Sequence, residues 1–490
     1  MTALTRFYRA QTQFYLDHLL LEREDQEVSL LTRMDTVLPP EIWRKIIGEA
    51  LPHASNSPVY YAEFRAIVAS VCKIWRFRVY NDQTLWSYIC VNQHVLSESL
   101  DFVLARCPTA LLDIRIALLD FDTRYGATPL TESVAIVLHR ILSKISPTSR
   151  RWRSFFLITE HPEAFMVVYR HFQNSPVPLL RTFTAHCTLM EGYSNYEVND
   201  PIYLEPVNQL HWFGGNLPSL TGVDACGIRM PDSLTSFASN LVTCNISQGY
   251  SPSLFTWEFF VELFSTAIRL RHIKLADILV VALPGSSDQS PLKSTSLQVL
   301  DLTLDADGFG VCFMKLMIVP NLSKLTLRVD RTNAVESLRL YLPKLHAVRR
   351  FCLHGSLGFD DDFYALFGSL PKLRVLDLQH ADEQAFIAYC GWTYMNKIHM
   401  GEDTAHCLQS LSVGMVDVGE LVGLVRFHDG RDEGPMNLRH VRMDHCIAVW
   451  EIDNYSWLCA HVADFGVFQP TTHPIYGLSG SEMYSAFVFH

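Results

Sequence analysis

Residues 297–302 read LQVLDL: an apolar residue, two others, a second apolar residue, one other, and a third apolar residue. The same pattern returns as LSKLTL at 322–327, LRVLDL at 373–378 and LQSLSV at 408–413. The alternation of apolar and polar residues at the end of each copy is typical of a β-strand with one buried face. The chain is therefore predicted to return to the same kind of strand many times.

Weaker copies keep the apolar spacing and begin at Trp152, Leu180, Leu220, Leu241, Leu270, Val348 and Leu438. From 241 to 373 the first positions step by 29, 27, 25, 26 and 25 residues, whereas later steps of 35 and 30 imply insertions. A proline stands two residues ahead of the strand pattern at Pro218, Pro320 and Pro371, where it would end a preceding helix. This near-constant period predicts stacked structural repeats.

Amphipathic stretches at 253–267, 334–342, 361–370 and 418–427 predict helices between the strands. One strand and one helix of this size cannot bury their apolar faces alone, so neighbouring units must stack. The region from about 150 to 446 resembles leucine-rich repeats, which implies an α/β solenoid of parallel strands. It departs from that family after the strand, where only Cys446 supplies the usual Asn or Cys. A plain α/β fold with a parallel sheet is the alternative.

A different pattern occupies residues 38–91. LPPEIWRKIIGEAL begins with prolines at positions a first helical turn tolerates, and FRAIVASVCKIWRFRVY and LWSYICV follow. The order LPPEI, II, VCKIWR, LW resembles an F-box, most closely the fungal type. That family ties a substrate receptor to a cullin–RING ubiquitin ligase through an SKP-type adaptor. The resemblance implies helix packing or adaptor binding for a set of matching residues, namely Leu38, Pro39, Ile42, Ile46, Val71, Cys72, Trp75, Leu85 and Trp86.

We therefore expect a small N-terminal helical F-box followed by a leucine-rich-repeat-like solenoid. The expected segments are an N-terminal helix (1–36), the F-box-like unit (37–92), a connecting or first capping unit (93–150), the solenoid (151–446) and a C-terminal cap (447–490). In the connecting unit, residues 111–120 predict a strand and 131–145 a helix.

Composition narrows the function classes. The 490 residues contain 40 Lys plus Arg against 51 Asp plus Glu, and this net charge of −11 disfavours nucleic acid as the partner. No window reaches the ~18–20 apolar residues of a membrane span, and no secretory signal is recognisable. The twelve cysteines form no CxxC pair, so a reduced compartment, cytoplasm or nucleus, is expected.

No phosphate-binding, nucleophile-elbow or zinc motif occurs, and we expect neither catalysis, nor a metal, nor a cofactor. The predicted function is the substrate-recognition subunit of an SCF-type ligase, with the repeats binding an unidentified protein substrate. A ligase-independent leucine-rich-repeat scaffold is the alternative, and an enzyme ranks far behind. Period-two alternation exposes polar residues on the concave strands, and the predicted substrate-binding set is Lys274, Asp301, Arg328, Arg350, Asp377 and Arg442.

Overall fold

The computed structural model describes part of the chain: residues 39–50, 58–92, 97–118, 132–159, 162–172, 175–187, 212–215, 217–228, 230, 237–247, 255–278, 280, 291–304, 308–329, 345–355, 366–381, 383–400, 408–414, 416–429, 438–444 and 452–468. The predicted helices at 7–34 and 334–342, and the first half of the one at 361–370, lie outside these residues. The chain divides into two compact units. The first comprises Met1–Leu119, Leu130–Leu157 and Leu478–His490, and the second comprises Asp120–Pro129 and Ile158–Gly477.

In the part of the first unit that the structure describes, three helices come first, and strands and helices then alternate. In chain order the elements are α1 (Pro40–Ala50), α2 (Pro58–Val71), α3 (Lys73–Asn81), β1 (Tyr88–Asn92), α4 (Ser97–Arg106), β2 (Leu112–Leu118), α5 (Glu132–Ile145) and β3 (Trp152–Thr159). The strand expected within 111–120 and the helix expected at 131–145 are confirmed as β2 and α5. β1 and β2 pair in parallel, with Ile89 opposite Ile114.

Trp86 is the centre of the packing that joins α2, α3 and α4. Its indole Nε1 donates to the carbonyl of Val79 at 2.7 Å, and its ring meets the Phe102 ring edge-on at 5.5 Å. The Arg65 guanidinium of α2 lies 4.6 Å from the centre of the Trp86 ring. A buried indole needs such a partner for its N–H, so this position accepts tryptophan better than phenylalanine.

The second unit consists of strands and helices that alternate along the chain. Its strands are β4 (Thr182–Cys187), β5 (Gly222–Cys226), β6 (Thr243–Ser247), β7 (His272–Ala276), β8 (Leu292–Lys293), β9 (Val299–Leu304), β10 (Met317–Ile318), β11 (Lys324–Val329), β12 (Arg350–Gly355), β13 (Val375–Ala381), β14 (Ser410–Val413), β15 (His440–Asp444) and β16 (Asp464–Phe468). The helices of this unit within the described residues are α6 (Pro162–Phe172), α7 (Trp257–Thr266), α8 (Phe309–Leu316), α9 (Glu383–Met400), α10 (Val418–Asp429) and α11 (Ile452–His461).

The strands of this unit form one large parallel sheet in sequence order, apart from β8 and β10, which pair with each other. Leu300, Leu325, Phe351 and Leu376 stand opposite one another on successive strands. Further along, Leu376 faces Leu411, which faces Val441. The weaker copies keep the same alignment from Phe183 to Leu300. The fold is thus α/β with a repeated strand, as the apolar spacing predicts.

Each strand begins at a backbone junction that repeats from one copy to the next. The carbonyl of Gln298 accepts the N–H groups of Ser323 at 2.8 Å and Lys324 at 3.0 Å. The Arg349 carbonyl accepts from Arg374 and Val375 at 2.8 and 3.0 Å in the same way. The junction fixes where each strand starts relative to its predecessor, whatever side chain the residue carries.

Aromatic side chains pack the helices that flank these strands. The helix expected at 253–267 is α7, and its Phe260 and Phe264 lie 4.9 and 5.5 Å from the Phe309 and Phe313 rings of α8. The helix expected at 418–427 is confirmed as α10. None of the described helices combines the length and apolar character that crossing a bilayer demands.

The segment after 446 departs from the sequence interpretation, which gave it no copy of the repeat. It contains β16, and this strand pairs in parallel with β15, with Val441 opposite Phe465. Residues 462–467 read VADFGV, which keeps the apolar spacing of the other copies. The repeat therefore extends one strand further than expected.

Candidate interaction surfaces

Helix α1 of the first unit leaves large apolar side chains in solvent. Ile42 and Ile46 are each 48% exposed, whereas Trp43 and Ile47 are 2% and 3% exposed. Positions i and i+4 share one face of a helix, so α1 presents one isoleucine face outward and buries the neighbouring face. Exposed isoleucines at this spacing are typical of a surface that another molecule covers.

The second helix repeats this arrangement. Ile67 is 64% and Val71 is 58% exposed, while Val68 and Ala69 are buried. Directly after α2, the exposed Cys72 caps α3, since its Sγ accepts the N–H of Trp75 at 3.5 Å. We name Ile42, Ile46, Ile67, Val71 and Cys72 the apolar helix residues.

The predicted adaptor-binding residues divide between surface and core. Leu38 lies outside the described residues; Pro39 is exposed, together with Ile42, Ile46, Val71 and Cys72, and Trp75 is half-buried. Leu85 and Trp86 are core residues of the first unit, so any effect of these two on an adaptor would pass through the position of α2 and α3. Their part in adaptor binding stays a prediction.

Arginines of α2 and α3 are engaged inside the first unit. Arg76 Nε donates to the Ala69 carbonyl at 3.1 Å, and the Arg78 guanidinium lies 5.9 Å from the centre of the Trp43 ring. These side chains therefore brace the helices, while α1 exposes Ile42 and Ile46 beside the charged residues Glu41, Lys45 and Glu49.

The sheet of the second unit presents a polar face formed by the residues between the buried apolar positions. Strand pairing places Asp224, Asn245, Lys274 and Asp301 in one row across β5, β6, β7 and β9. The same row continues through Thr326, Cys352, Asp377, Ser412 and Arg442. We call this face the polar sheet face.

Polar and charged residues on this face contact one another. Arg328 donates from Nε to Asp301 Oδ1 at 3.1 Å and from Nη2 to Asp301 Oδ2 at 3.2 Å. His186 Nε2 and Asp224 Oδ1 lie 3.2 Å apart. The Cys352 thiol donates to Asp377 Oδ2 at 3.7 Å. Burial and, to a smaller extent, the Asp377 charge raise the pKa of this thiol to about 11. Arg328 and Asp301 thus neutralise each other within the face.

An irregularity in β13 brings two histidines together. The register shifts between Cys352 and His354, so that His354 faces His380, and their rings stack at 4.9 Å between centres. Burial lowers the pKa of His354 to about 4, with smaller contributions from the Arg328 and His380 charges. At neutral pH His354 is therefore uncharged. The LxxLxL pattern gives no signal of this extra residue.

The predicted substrate-binding residues occupy different rows. Four of them lie in the row that runs from Asp224 to Arg442: Lys274, Asp301 and Asp377 are half-buried, and Arg442 is exposed. Arg350 is exposed and lies one row nearer the start of the strands. Arg328 is half-buried and lies one row nearer their end. Asp301 and Arg328 form hydrogen bonds with each other. Whether any of the six contacts a substrate stays a prediction.

No metal-binding constellation of three or more His, Cys, Asp or Glu residues occurs within the described ranges. Every cysteine that the structure describes is a free thiol. Burial raises the pKa of the Cys90 and Cys244 thiols to about 12, which makes them unreactive at neutral pH.

Comparison with known proteins gives no family assignment. No protein-family model matches the sequence, and no curated protein matches it. Among solved structures, a Bacteroides fragilis protein is similar at 14% identity and a TM-score of 0.28, over 62% of this chain and 69% of that one. A chain of the yeast Rad7–Elc1 complex is similar at 12% identity and a TM-score of 0.32, over 95% of this chain and 97% of that one. Both scores are too low to carry an assignment.

Proposed function

We propose that this protein is the substrate-recognition subunit of an SCF-type cullin–RING ubiquitin ligase, in which α1 and α2 bind an SKP-type adaptor and the repeats bind a protein substrate. The observation that carries the proposal is the exposure of Ile42, Ile46, Ile67 and Val71. Four of the apolar helix residues match the F-box pattern, namely Ile42, Ile46, Val71 and Cys72, and all four are on the surface although their type favours burial.

The energetics favour an apolar contact. Fully burying one such side chain contributes about 1.5–3 kcal/mol, so a few of these residues supply a large share of a micromolar affinity of about 8 kcal/mol. An aspartate introduced among them would be buried without a partner in the complex and would oppose binding strongly.

The protein would itself form no bond in the ubiquitin transfer. Its proposed contribution is to hold the substrate near the catalytic subunits, which raises the effective concentration of the reacting groups. The leucine-rich-repeat and F-box assignments belong to this proposal, as does the cullin that the adaptor would recruit.

Adaptor binding can be tested by co-purification of the full chain with an SKP-type adaptor and a cullin. Ile46→Asp and Val71→Asp should each weaken adaptor binding by about thirtyfold or more, since about 2 kcal/mol is lost at each site. Ile136→Asp on α5 and Ile268→Asp after α7 are matched controls, since both isoleucines are exposed outside α1 and α2. Equal binding by the α1 and α2 variants would contradict the proposal.

Cys72 offers a second measurement without a disruptive substitution. Its exposed thiol should react with a maleimide in the free protein and be protected when adaptor is added. Cys459 on α11 is also exposed and should label equally with and without adaptor. Adaptor binding without a co-purified cullin would instead favour the ligase-independent scaffold.

A further inference from the structure

The edge at which the parallel strands of the second unit begin is strongly basic. This edge comprises the residue at each backbone junction and the residue after it, two positions per strand. Its basic members are Arg181, Arg271, His272, Lys324, Arg349, Arg350, Arg374, Arg439 and His440. The one acidic residue at these positions on β4–β7, β9 and β11–β16 is Asp464, which lies 2.8 Å from His440. We call this set the basic edge.

The positive charge of this edge is opposite to the net charge of the whole chain, which contains 51 acidic and 40 Lys or Arg residues. Such a bias is not needed for solubility, because uncharged Gln298, Gln409 and Thr221 occupy the same junction position on other strands. A local excess of positive charge on an acidic protein creates a field that attracts and orients an anionic partner.

The arginines of the basic edge are available for binding. Arg271, Arg349, Arg350, Arg374 and Arg439 are exposed, and within the described residues none of them forms an ion pair. This differs from the polar sheet face, where Arg328 and Asp301 neutralise each other.

The backbone sets the spacing of these charges. Arg349 and Arg374 occupy equivalent junctions on neighbouring strands, and the Arg349 carbonyl accepts the Arg374 N–H at 2.8 Å. Neighbouring strands lie ~4.8 Å apart, and side chains three or four residues apart on a helix are separated by ~5–6 Å. A helix with glutamates at that spacing can therefore place successive carboxylates beside successive strands.

The neighbouring row explains why a peptide fits better than a nucleic acid. Asp224, Asp301 and Asp377 lie two residues beyond the basic edge, in a row that also contains Lys274 and Arg442, so this row of mixed charge offers no continuous positive track for a phosphate backbone. A carboxylate on a side chain can reach the basic edge while its own backbone stays away from these aspartates.

We infer that the basic edge binds an acidic, glutamate-rich segment of a protein partner, with Arg349, Arg350 and Arg374 at the centre of the contact. This inference rests on the proposed function in one respect, since it names the chemistry of the substrate that the receptor would take. Guanidinium groups pair with carboxylates in a two-point geometry that lysine lacks, which suits this arginine-rich edge.

The test uses the full chain and a fluorescein-labelled helical peptide with glutamates at i, i+3 and i+4 spacing, against the same peptide with glutamines. Wild-type protein should bind the glutamate peptide, bind the glutamine peptide at least about tenfold more weakly, and lose affinity as salt rises. Arg349→Glu/Arg374→Glu should weaken binding by about tenfold or more. Lys293→Glu, a charge reversal at an exposed lysine on β8, should leave binding unchanged.

Equal binding of both peptides, or wild-type affinity in the double variant, would overturn the inference. Tighter binding of a single-stranded oligonucleotide than of the glutamate peptide, lost in the double variant, would also overturn it in favour of a nucleic acid. Neither readout involves the adaptor, and adaptor co-purification by Arg349→Glu/Arg374→Glu should match wild type. A failure at the basic edge is therefore distinguishable from a failure of the F-box-like helices.

Discussion

Arg328 on β11 holds Asp301 on β9 through two parallel hydrogen bonds of 3.1 and 3.2 Å, a two-point contact across neighbouring repeats. The strand register places Arg328 opposite Thr303 and Asp301 opposite Thr326, so the pair is diagonal. Both side chains are partly shielded from water, which strengthens the contact relative to a fully exposed pair.

We expect Arg328→Ala and Asp301→Ala each to lower the free energy of unfolding by about 1 kcal/mol, with a coupling energy of about 0.5–1 kcal/mol in the double variant. Urea unfolding of the four proteins of the cycle measures the coupling. Strict additivity of the two single effects would show that the pair contributes nothing to stability.

Gly355 should be the least replaceable glycine at the end of a strand. Its φ of +105° is a conformation that residues with a side chain rarely adopt, and an added Cβ would lie 2.0 Å from the Val329 carbonyl oxygen. Gly355→Ala should therefore cost about 2 kcal/mol or more.

Gly466 on β16 is the matched control, because an added Cβ there meets its nearest atom, Arg442 Cγ, at 3.8 Å. Gly466→Ala should change stability by less than about 1 kcal/mol. Thermal unfolding of both variants distinguishes the two positions, and a neutral Gly355→Ala would contradict the described turn.

His354 should make stability fall on acidification. Burial, aided by the Arg328 and His380 charges, lowers its pKa from 6.5 to about 4, so the unfolded state binds more protons than the folded state between these pH values. Stability from this group is therefore complete above about pH 6.5 and is lost as the pH falls towards about 4.

His354→Gln should reduce the loss of stability between pH 6.5 and 4.5 by about 1–2 kcal/mol, as measured by urea unfolding at each pH. His346→Gln changes an exposed histidine and should leave the pH profile as it is in wild type. Identical profiles for wild type and His354→Gln would rule out a perturbed His354.

Trp86→Phe should destabilise the first unit by about 1–3 kcal/mol, since the buried Val79 carbonyl loses the indole N–H as a donor. Trp75→Phe changes a half-buried indole and should cost less. Fluorescence-detected unfolding follows both variants. An equal loss of stability in the two variants would indicate that the Trp86 hydrogen bond does not contribute to the stability of the first unit.

The repeat could be predicted from sequence because buried apolar spacing determines strand register. Even copies with a single leucine, such as Leu241-Val242-Thr243-Cys244-Asn245-Ile246, align with their neighbours, because other apolar side chains fill the same positions between sheet and helix. The copy VADFGV at 462–467 was not predicted although its spacing fits, because it contains no leucine and lies in an aromatic-rich segment.

The partner surfaces were less predictable. Periodicity puts Ile42 and Ile46 together with Ile47 on one apolar stripe, and it does not reveal that Ile47 is buried while the other two are exposed. The basic edge was also missed, since Arg349 and Arg374 follow an apolar residue outside the alternating part of each copy, where sequence pattern does not specify exposure. The stacking of His354 on His380 depends on a one-residue register shift that no local motif encodes.

The shared carbonyl at each strand start has a consequence for how this protein can change over time. Because Gln298, Arg349 and Gln409 all make the same backbone junction, the frame tolerates a glutamine or an arginine there equally well. Substitutions at this position can then change the charge of one repeat at a time, while the distance between neighbouring strands stays constant. The partner that this edge prefers could therefore change during evolution without a change in the backbone that positions the side chains.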